Sequence, residues 1–360
     1  MGKNTFADHW LTIVLLVLLG LFGLFLLISV TPALFYQQLA YFIAAIIIIV
    51  ILVRIDWTLL WWLAPFGYVL SILLILASYG GPIIRGATRW IIVANIQLQP
   101  AELVKPLLLV AFSRFLVQFS PRRPANLALH LVLFFVPFLL IFKQPDLGTG
   151  LIYFCAWLAM LWAAGLPMLI PLFALPILFL VTPVAWRMLA TYQQSRILTF
   201  LYPGSDPTGA GYNALQAVIA VGSGQWFGRG LGFGTQSHLR FLPEYHTDFI
   251  FAALIEEVGF FGGLVLLVVY ALLLRQIILP LVRGKVKDAF AYIYSVGLFT
   301  LLLSQIFINA GMNMGLLPIT GITLPFISYG GSSILALAIA FSLLWILSKK
   351  ETGSSEIEIS

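Results

Sequence analysis

Asp248 is the residue whose type and surroundings best suit taking a proton from a hydroxyl. It stands in FLPEYHTDFIFAALIEEVGF, where a polar stretch gives way to a long apolar run. A carboxylate there can act as a general base. It can equally cap the following helix, because Asp accepts hydrogen bonds from the free N–H groups of a first turn. Spacing alone leaves both readings open. Glu244 is the only other carboxylate close by in sequence outside the apolar run. Glu256 and Glu257 lie within that run, about 12–13 Å deeper at about 1.5 Å per residue. They are expected to be structural, hydrogen-bonded inside a helix bundle.

A second charged group is QPAELVKPLLLV. Glu102 and Lys105 are three residues apart and share one helical face. Pro100 suits a helix start and Glu102 its positive end. Ionisable side chains in apolar surroundings are usually paired or functional. The pair is therefore either a structural ion pair or a place where Lys105 meets an anionic substrate.

Two glycine-rich stretches supply unusual backbone. GSGQWFGRGLGFG, residues 222–234, carries Arg229 and could form an anion-binding nest or plain turns. No Gly-Lys-Ser/Thr closes it, so it is not a nucleotide-binding loop. GMNMGLLPITGITLPFISYGGSS interrupts an apolar run with Gly311, Pro318, Gly321, Pro325, Gly330 and Gly331. Non-helical backbone among spans must be buried in protein or line a cavity. This loop is expected to form a site wall.

The elements that must position these groups follow from composition. Of 360 residues, 61% are hydrophobic and only 9% charged, against about a quarter charged in a soluble domain. Lipid must cover such a chain. The expected fold is all-α and polytopic, one membrane domain over residues 1–360 with about ten spans: 10–30, 37–53, 57–79, 100–118, 126–142, 147–164, 166–186, 248–274, 288–312 and 329–348. The first is too long for a signal-peptide core and is read as retained. Cys155, the single cysteine, is read as a small buried hydrophobe. A net charge of +6 implies no nucleic acid here, since the basic residues lie in short loops.

Those loops set orientation. Lys3, Arg54, Arg114, Arg122, Arg123, Arg275, Arg283, Lys285, Lys287, Lys349 and Lys350 fall on the side of both termini, which is therefore cytoplasmic. Arg85, Arg89 and Lys143 face the other way. The long loop 187–247 is then extracytoplasmic, and residues 349–360 form a polar, disordered tail.

The stretches GATRWIIVANIQLQPAELVKP, KQPDLGTG, HTDFIFAALIEEVG and GLLPITGITLPFISYGGSS resemble the shape, elongation, division and sporulation (SEDS) family, from the third span to the tenth. GTQSHLRFLPE and AVIAVGSGQ are more similar to its elongation branch than to its division branch. The resemblance implies a glycosyltransferase of the bacterial cytoplasmic membrane. It would polymerise lipid II on the outer face alongside a class B penicillin-binding protein and other elongation-complex membrane proteins.

Under that resemblance Asp248 becomes the expected base. Lys105, Arg85, Arg89, Arg196 and Arg229 become candidates to stabilise the leaving diphosphate, with Glu102 beside Lys105. A divalent cation, Mg or Mn, would be the ion to bridge phosphate oxygens. Direct displacement at an axial diphosphate donor inverts the anomeric centre. The expected site is a cleft open to the outer leaflet, bounded by the fourth and eighth spans and roofed by 187–247, with basic groups near Lys105 and Arg196. A lipid II flippase is the rival and would carry polar groups through the whole membrane depth. A noncatalytic scaffold for the penicillin-binding protein is the third reading.

Overall fold

A computed structural model of the chain describes residues 9–84, 87–93, 96–167, 182–183, 186–187, 189–202 and 209–354. Helices α1 (Trp10–Val30), α2 (Phe35–Leu52) and α3 (Trp57–Ser78) come first; α1 and α2 are joined by a 3-10 turn at Pro32–Leu34. A β-hairpin follows, β1 (Ile91–Val93) and β2 (Ile96–Leu98), antiparallel with Ile92 opposite Gln97. Then come α4 (Pro100–Leu103), α5 (Lys105–Gln118), α6 (Pro124–Lys143) and α7 (Leu147–Ala163). The long loop region 187–247 holds α8 (Thr191–Leu201), α9 (Ala210–Ser223) and the single turn α10 (Thr235–His238). The chain closes with α11 (Ile250–Val282), α12 (Ala289–Asn313) and α13 (Gly331–Ser354).

Seven of the described helices are long and apolar enough to cross a membrane, and α7 is a shorter apolar helix. They are apolar on nearly every face, as lipid-embedded helices must be. The expected span 166–186 and the tail beyond Ser354 fall largely outside the described residues. Helix α13 continues past Lys349 and Lys350 to Ser354.

Helices α12 and α13 form the buried centre. α12 packs on α7 and α11, and α13 on α2, with α5 between α3 and α12. A core of Leu108, Leu298, Leu302, Phe341 and Trp345 joins them.

Two expected spans are broken. Residues 100–118 divide at Val104 into α4 and α5. The cause is Pro106, which has no N–H to offer the Glu102 carbonyl. Helix α11 is interrupted at Gly259 (φ 75°, ψ −174°). A helix break exposes carbonyls and amides that must find partners. Here segment 225–230 supplies them. Arg229 N donates to Glu256 O (2.9 Å) and Gly230 N to Glu257 O (3.0 Å); Phe260 N donates to Gln225 O (2.8 Å) and Phe261 N to Trp226 O (3.2 Å).

The break revises the depth expected for Glu256 and Glu257. Phe260 to Val282 crosses about 34 Å on its own at about 1.5 Å per residue, enough for a bilayer core of about 30 Å. The two glutamates therefore sit at the end of the spanning part, not at its middle.

Candidate active site

A cleft of about 410 Å³ opens where α2, the hairpin, α4, the turn before α11 and the start of α13 meet. Asp248, Glu244, Glu102 and Arg89 lie on its wall, with Tyr41, Trp90, His246, Thr323 and Tyr329.

The turn 244–249 presents Asp248. Glu244 has a positive φ of 54°, a conformation non-glycine residues adopt rarely and often at functional sites. Its carbonyl thereby accepts from the N–H groups of Thr247 (3.1 Å), Asp248 (3.1 Å) and Phe249 (3.2 Å). Behind the turn, Asn309 Nδ2 (3.0 Å) and Asn313 Nδ2 (3.1 Å) donate to the Asp248 carbonyl. Asn313 Oδ1 accepts from Ala252 N. These asparagines are one helical turn apart on α12 and fully buried, so they fix the Asp248 backbone rigidly. The cap reading of Asp248 does not hold. Phe249 occupies the N-cap position of α11, and no side chain caps it. The Asp248 carboxylate instead sits over Gly321, where a Cβ would come within 3.3 Å of Oδ2.

The loop between α12 and α13 forms a wall of the cleft, as its backbone pattern predicts. Gly321, Thr323, Tyr329 and Gly330 line it. Ser328 Oγ donates to Thr247 O (2.6 Å), Tyr329 N to His246 O (2.9 Å), and Gln38 Nε2 on α2 to Ser328 O (3.1 Å). The turn that bears Asp248, this loop and α2 are thus one hydrogen-bonded unit.

Arg89 brings positive charge to the wall, its Nη1 3.8 Å from Asp146 Oδ2. Asp146 also caps α7 through Thr149 N (3.1 Å) and accepts from Gln99 Nε2 (3.1 Å). The KQPDLGTG motif therefore positions Arg89 and Gln99 from behind. Its Gly148 leaves room for the 320–322 loop, since a Cβ there would lie 2.8 Å from the Ile322 side chain.

Lys105 is only 3% exposed, with Nζ 2.5 Å from Glu102 Oε1. Glu102 reaches the cleft; Lys105 lies behind it, in a small pocket with Gln305 and Leu301. The expected contact of Lys105 with an anionic substrate is therefore not made from the cleft wall. Arg196 and Arg229 are not among the residues lining the cleft. Arg196 Nη1 donates to Thr320 O (3.4 Å), next to the wall residue Gly321, and Arg229 is exposed on the 224–232 loop. Among the described residues, Arg89 is the arginine that lines the cleft. Arg85 falls outside the described residues.

Of the glycine-rich stretch only Gly232 donates to a carboxylate; the turn just after it, Thr235–His238, holds the two glutamates. Glu256 Oε1 accepts from Gln236 N (2.9 Å) and Thr235 Oγ1 (3.2 Å), and Oε2 from Ser237 N (3.3 Å) and Ser237 Oγ (3.2 Å). Glu257 Oε1 accepts from Ser29 Oγ (2.7 Å) and Gly232 N (3.2 Å), with His238 Nε2 2.9 Å away. The two glutamates are buried and hydrogen-bonded, but their partners come from the 232–238 segment more than from the bundle, where hydrogen bonding was expected.

Sequence reasoning passed over Asp146, Gln99, Tyr41, Tyr329 and His246. The available signal was that SYGGSS and KQPDLGTG place polar groups beside helix starts in an otherwise apolar chain.

Residues 8–353 match the cell cycle protein family that groups FtsW, RodA and SpoVE. The chain belongs to this family of polytopic membrane proteins. Among its relatives, the peptidoglycan glycosyltransferase MrdB of Escherichia coli is 38% identical over 284 residues, covering 78% of this chain and 76% of that one. The probable peptidoglycan glycosyltransferase FtsW of Shewanella sediminis is 35% identical over 319 residues, covering 86% and 76%. The fold is similar to a chain of a peptidoglycan synthase complex described as coordinating polymerization and crosslinking (TM-score 0.82, 29% identity, 95% of this chain and 98% of that one). It is also similar to the rod shape determining protein RodA of Thermus thermophilus (TM-score 0.71, 26% identity, 95% and 97%).

Proposed function

We propose that this chain is a peptidoglycan glycosyltransferase that polymerises lipid II during cell elongation. The observation that carries the reading is the placement of Asp248, rigidly held by Asn309 and Asn313 on the wall of a cleft that also presents Arg89. The relatives' names agree in pointing to glycan polymerisation.

The chemistry follows from the arrangement. Asp248 accepts the proton of the acceptor sugar's hydroxyl as that oxygen bonds to the donor's anomeric carbon. The bond from that carbon to the diphosphate oxygen breaks, and the electron pair leaves with the polyprenyl diphosphate. Arg89, steadied by Asp146, offers fixed positive charge to that leaving group. One displacement inverts the anomeric centre. No group of three or more ligand-type side chains occurs among the described residues, but Mg-type sites commonly use one or two carboxylates with substrate phosphates. Glu244 is the cleft carboxylate suited to hold such an ion, whose charge would offset that of the diphosphate.

The loop charges support a bacterial cytoplasmic membrane placement, with both termini inside and the cleft facing outward. The likeness to the peptidoglycan synthase complex supports a crosslinking class B penicillin-binding protein as partner, alongside other elongation-complex proteins. A flippase is less well supported, since Glu256 and Glu257 do not continue a polar path inward. The test is polymerisation of lipid II by the purified chain with its partner, with products separated on a gel. Full-length glycan from wild type and none from Asp248→Asn is expected; wild-type yield from a folded Asp248→Asn protein would sink the assignment.

A further inference from the structure

The cleft has two chemically unlike sides. The hairpin side carries Arg89, Gln97 and Gln99, backed by Asp146. The side built from α2 and the 321–330 loop is neutral, aromatic and amide-bearing: Gln37, Tyr41 and Tyr329. Three observations make this second side a built surface. The rings of Tyr41 and Tyr329 lie 6.4 Å apart, and the Tyr329 ring lies 5.8 Å from that of His246. Gln37 Nε2 donates to Tyr41 Oη (2.9 Å). Gly331 lets the Tyr41 ring lie against the first turn of α13, since a Cβ there would stand 2.6 Å from the ring.

We infer that Tyr41, Tyr329 and Gln37 form the subsite for the acceptor sugar, the neutral pyranose whose hydroxyl attacks, and that Arg89 marks the donor side. The inference rests on the glycosyltransferase reading above and deepens it. Aromatic faces with adjacent amides suit a sugar, which offers apolar C–H faces and hydroxyls at its rim. The donor's anomeric carbon is joined directly to its diphosphate, so the donor must sit where the positive charge is. The acceptor reacts at the sugar end away from its own diphosphate, so its subsite needs no charge. In-line displacement requires the attacking oxygen and the leaving oxygen on opposite sides of the carbon. The base must stand with the acceptor. Asp248 does so: His246, two residues before it, is hydrogen-bonded through its carbonyl to Tyr329 N (2.9 Å). Burial first, and then the neighbouring Tyr41, pushes the Tyr329 hydroxyl up to about 12. At neutral pH it therefore remains a hydrogen-bond donor.

The test uses the full chain in vesicles with two lipid II analogues. One has its terminal 4-hydroxyl capped and can only donate. The other has a methylene in place of the anomeric oxygen and can only accept. Each turnover then makes one glycosidic bond, and each substrate has its own KM. Tyr41→Ala and Tyr329→Ala are expected to raise the acceptor KM about ten-fold while leaving the donor KM within about two-fold. Tyr41→Phe, which keeps the ring but loses the hydroxyl that Gln37 bonds, raises the acceptor KM less than Tyr41→Ala does. Gln37→Ala alters an exposed side chain, which avoids a folding defect, and raises the acceptor KM about three-fold. An unchanged acceptor KM in Gln37→Ala and in a folded Tyr41→Ala protein overturns the inference alone, as does an equal rise for both substrates. If wild type with its partner forms no glycosidic bond even from ordinary lipid II, the glycosyltransferase reading falls and this inference with it.

Discussion

Replacing Glu256 by Gln tests whether the 232–240 loop is docked by a buried carboxylate. The Glu256 side chain is fully buried and accepts four hydrogen bonds, two at each oxygen. An amide that keeps its oxygen toward Thr235 and Gln236 turns its NH₂ toward Ser237. The Ser237 hydroxyl can rotate to accept, but the Ser237 N–H cannot. Ser237 is itself fully buried, so its N–H is stranded at a cost of about 1–3 kcal/mol. The two bonds that remain lose their charge assistance, about 1 kcal/mol each. The docked loop is then weakened by about 3–5 kcal/mol, a hundred- to few-thousand-fold in its closed-to-open ratio. Hydrogen exchange of the peptide covering 232–240 should speed up accordingly, while α12 amides keep their protection. Protection of 232–240 within about three-fold of wild type would refute the idea that Glu256 holds the loop.

Asp248→Asn should lower glycan polymerisation by about 10²–10⁴ without loss of folded protein, measured as polymer yield against thermal stability. Glu102→Gln strands the buried Lys105 ammonium and should destabilise the protein by about 3–5 kcal/mol; Glu102→Gln with Lys105→Met should be milder, read from a double-mutant cycle of detergent melting. Gly228→Ala should lower the melting temperature far more than Gly232→Ala. Both glycines have φ near +80°, but a Cβ at Gly228 meets the Glu257 carbonyl at 2.1 Å while one at Gly232 meets nothing within 4 Å. Arg89→Lys should weaken donor binding more than acceptor binding, because an ammonium lacks the fixed fork that a diphosphate engages; separate donor and acceptor KM values would decide it.

Much of this architecture was legible from the chain. Twenty-residue apolar runs fix their own helices, because a backbone in lipid has no other way to satisfy its amides. The break in α11 was not legible. Gly259 sits in an otherwise apolar run just after Glu256 and Glu257, and a single glycine in a helix costs only about 1 kcal/mol. Its left-handed conformation is stable only because residues 225–230, some thirty positions earlier, supply the missing partners. No local pattern encodes a pairing of that range. The hairpin was missed for a similar reason: Ile91–Leu98 reads as the end of an apolar loop until the turn is closed. Asp248 drew attention because a carboxylate at a membrane junction is conspicuous, whereas Asp146, whose partners Arg89 and Gln99 lie some fifty residues earlier, did not.

The carboxylates themselves show why composition cannot rank them. Glu256 and Glu257 are the most buried carboxylates among the described residues, and on spacing they were expected to be structural. Both Glu256 oxygens and Glu257 Oε1 are engaged, by Thr235, Gln236, Ser237, Ser29 and Gly232, while Glu257 Oε2 is buried without a hydrogen-bond partner. A carboxylate already holding so many donors is a poor base, because protonation would cost those bonds. Glu102 is held by one ammonium behind it, and that pairing makes it a link between the cleft wall and the α4–α5 break. Asp248 differs from all three in how it is held. Its backbone is fixed by Asn309 and Asn313, and it lines the cleft. Rigid anchoring through the main chain on a cleft wall is what proton transfer requires, since the group must be held in position. The buried asparagine pair on α12 is thus part of the site as much as Asp248 is.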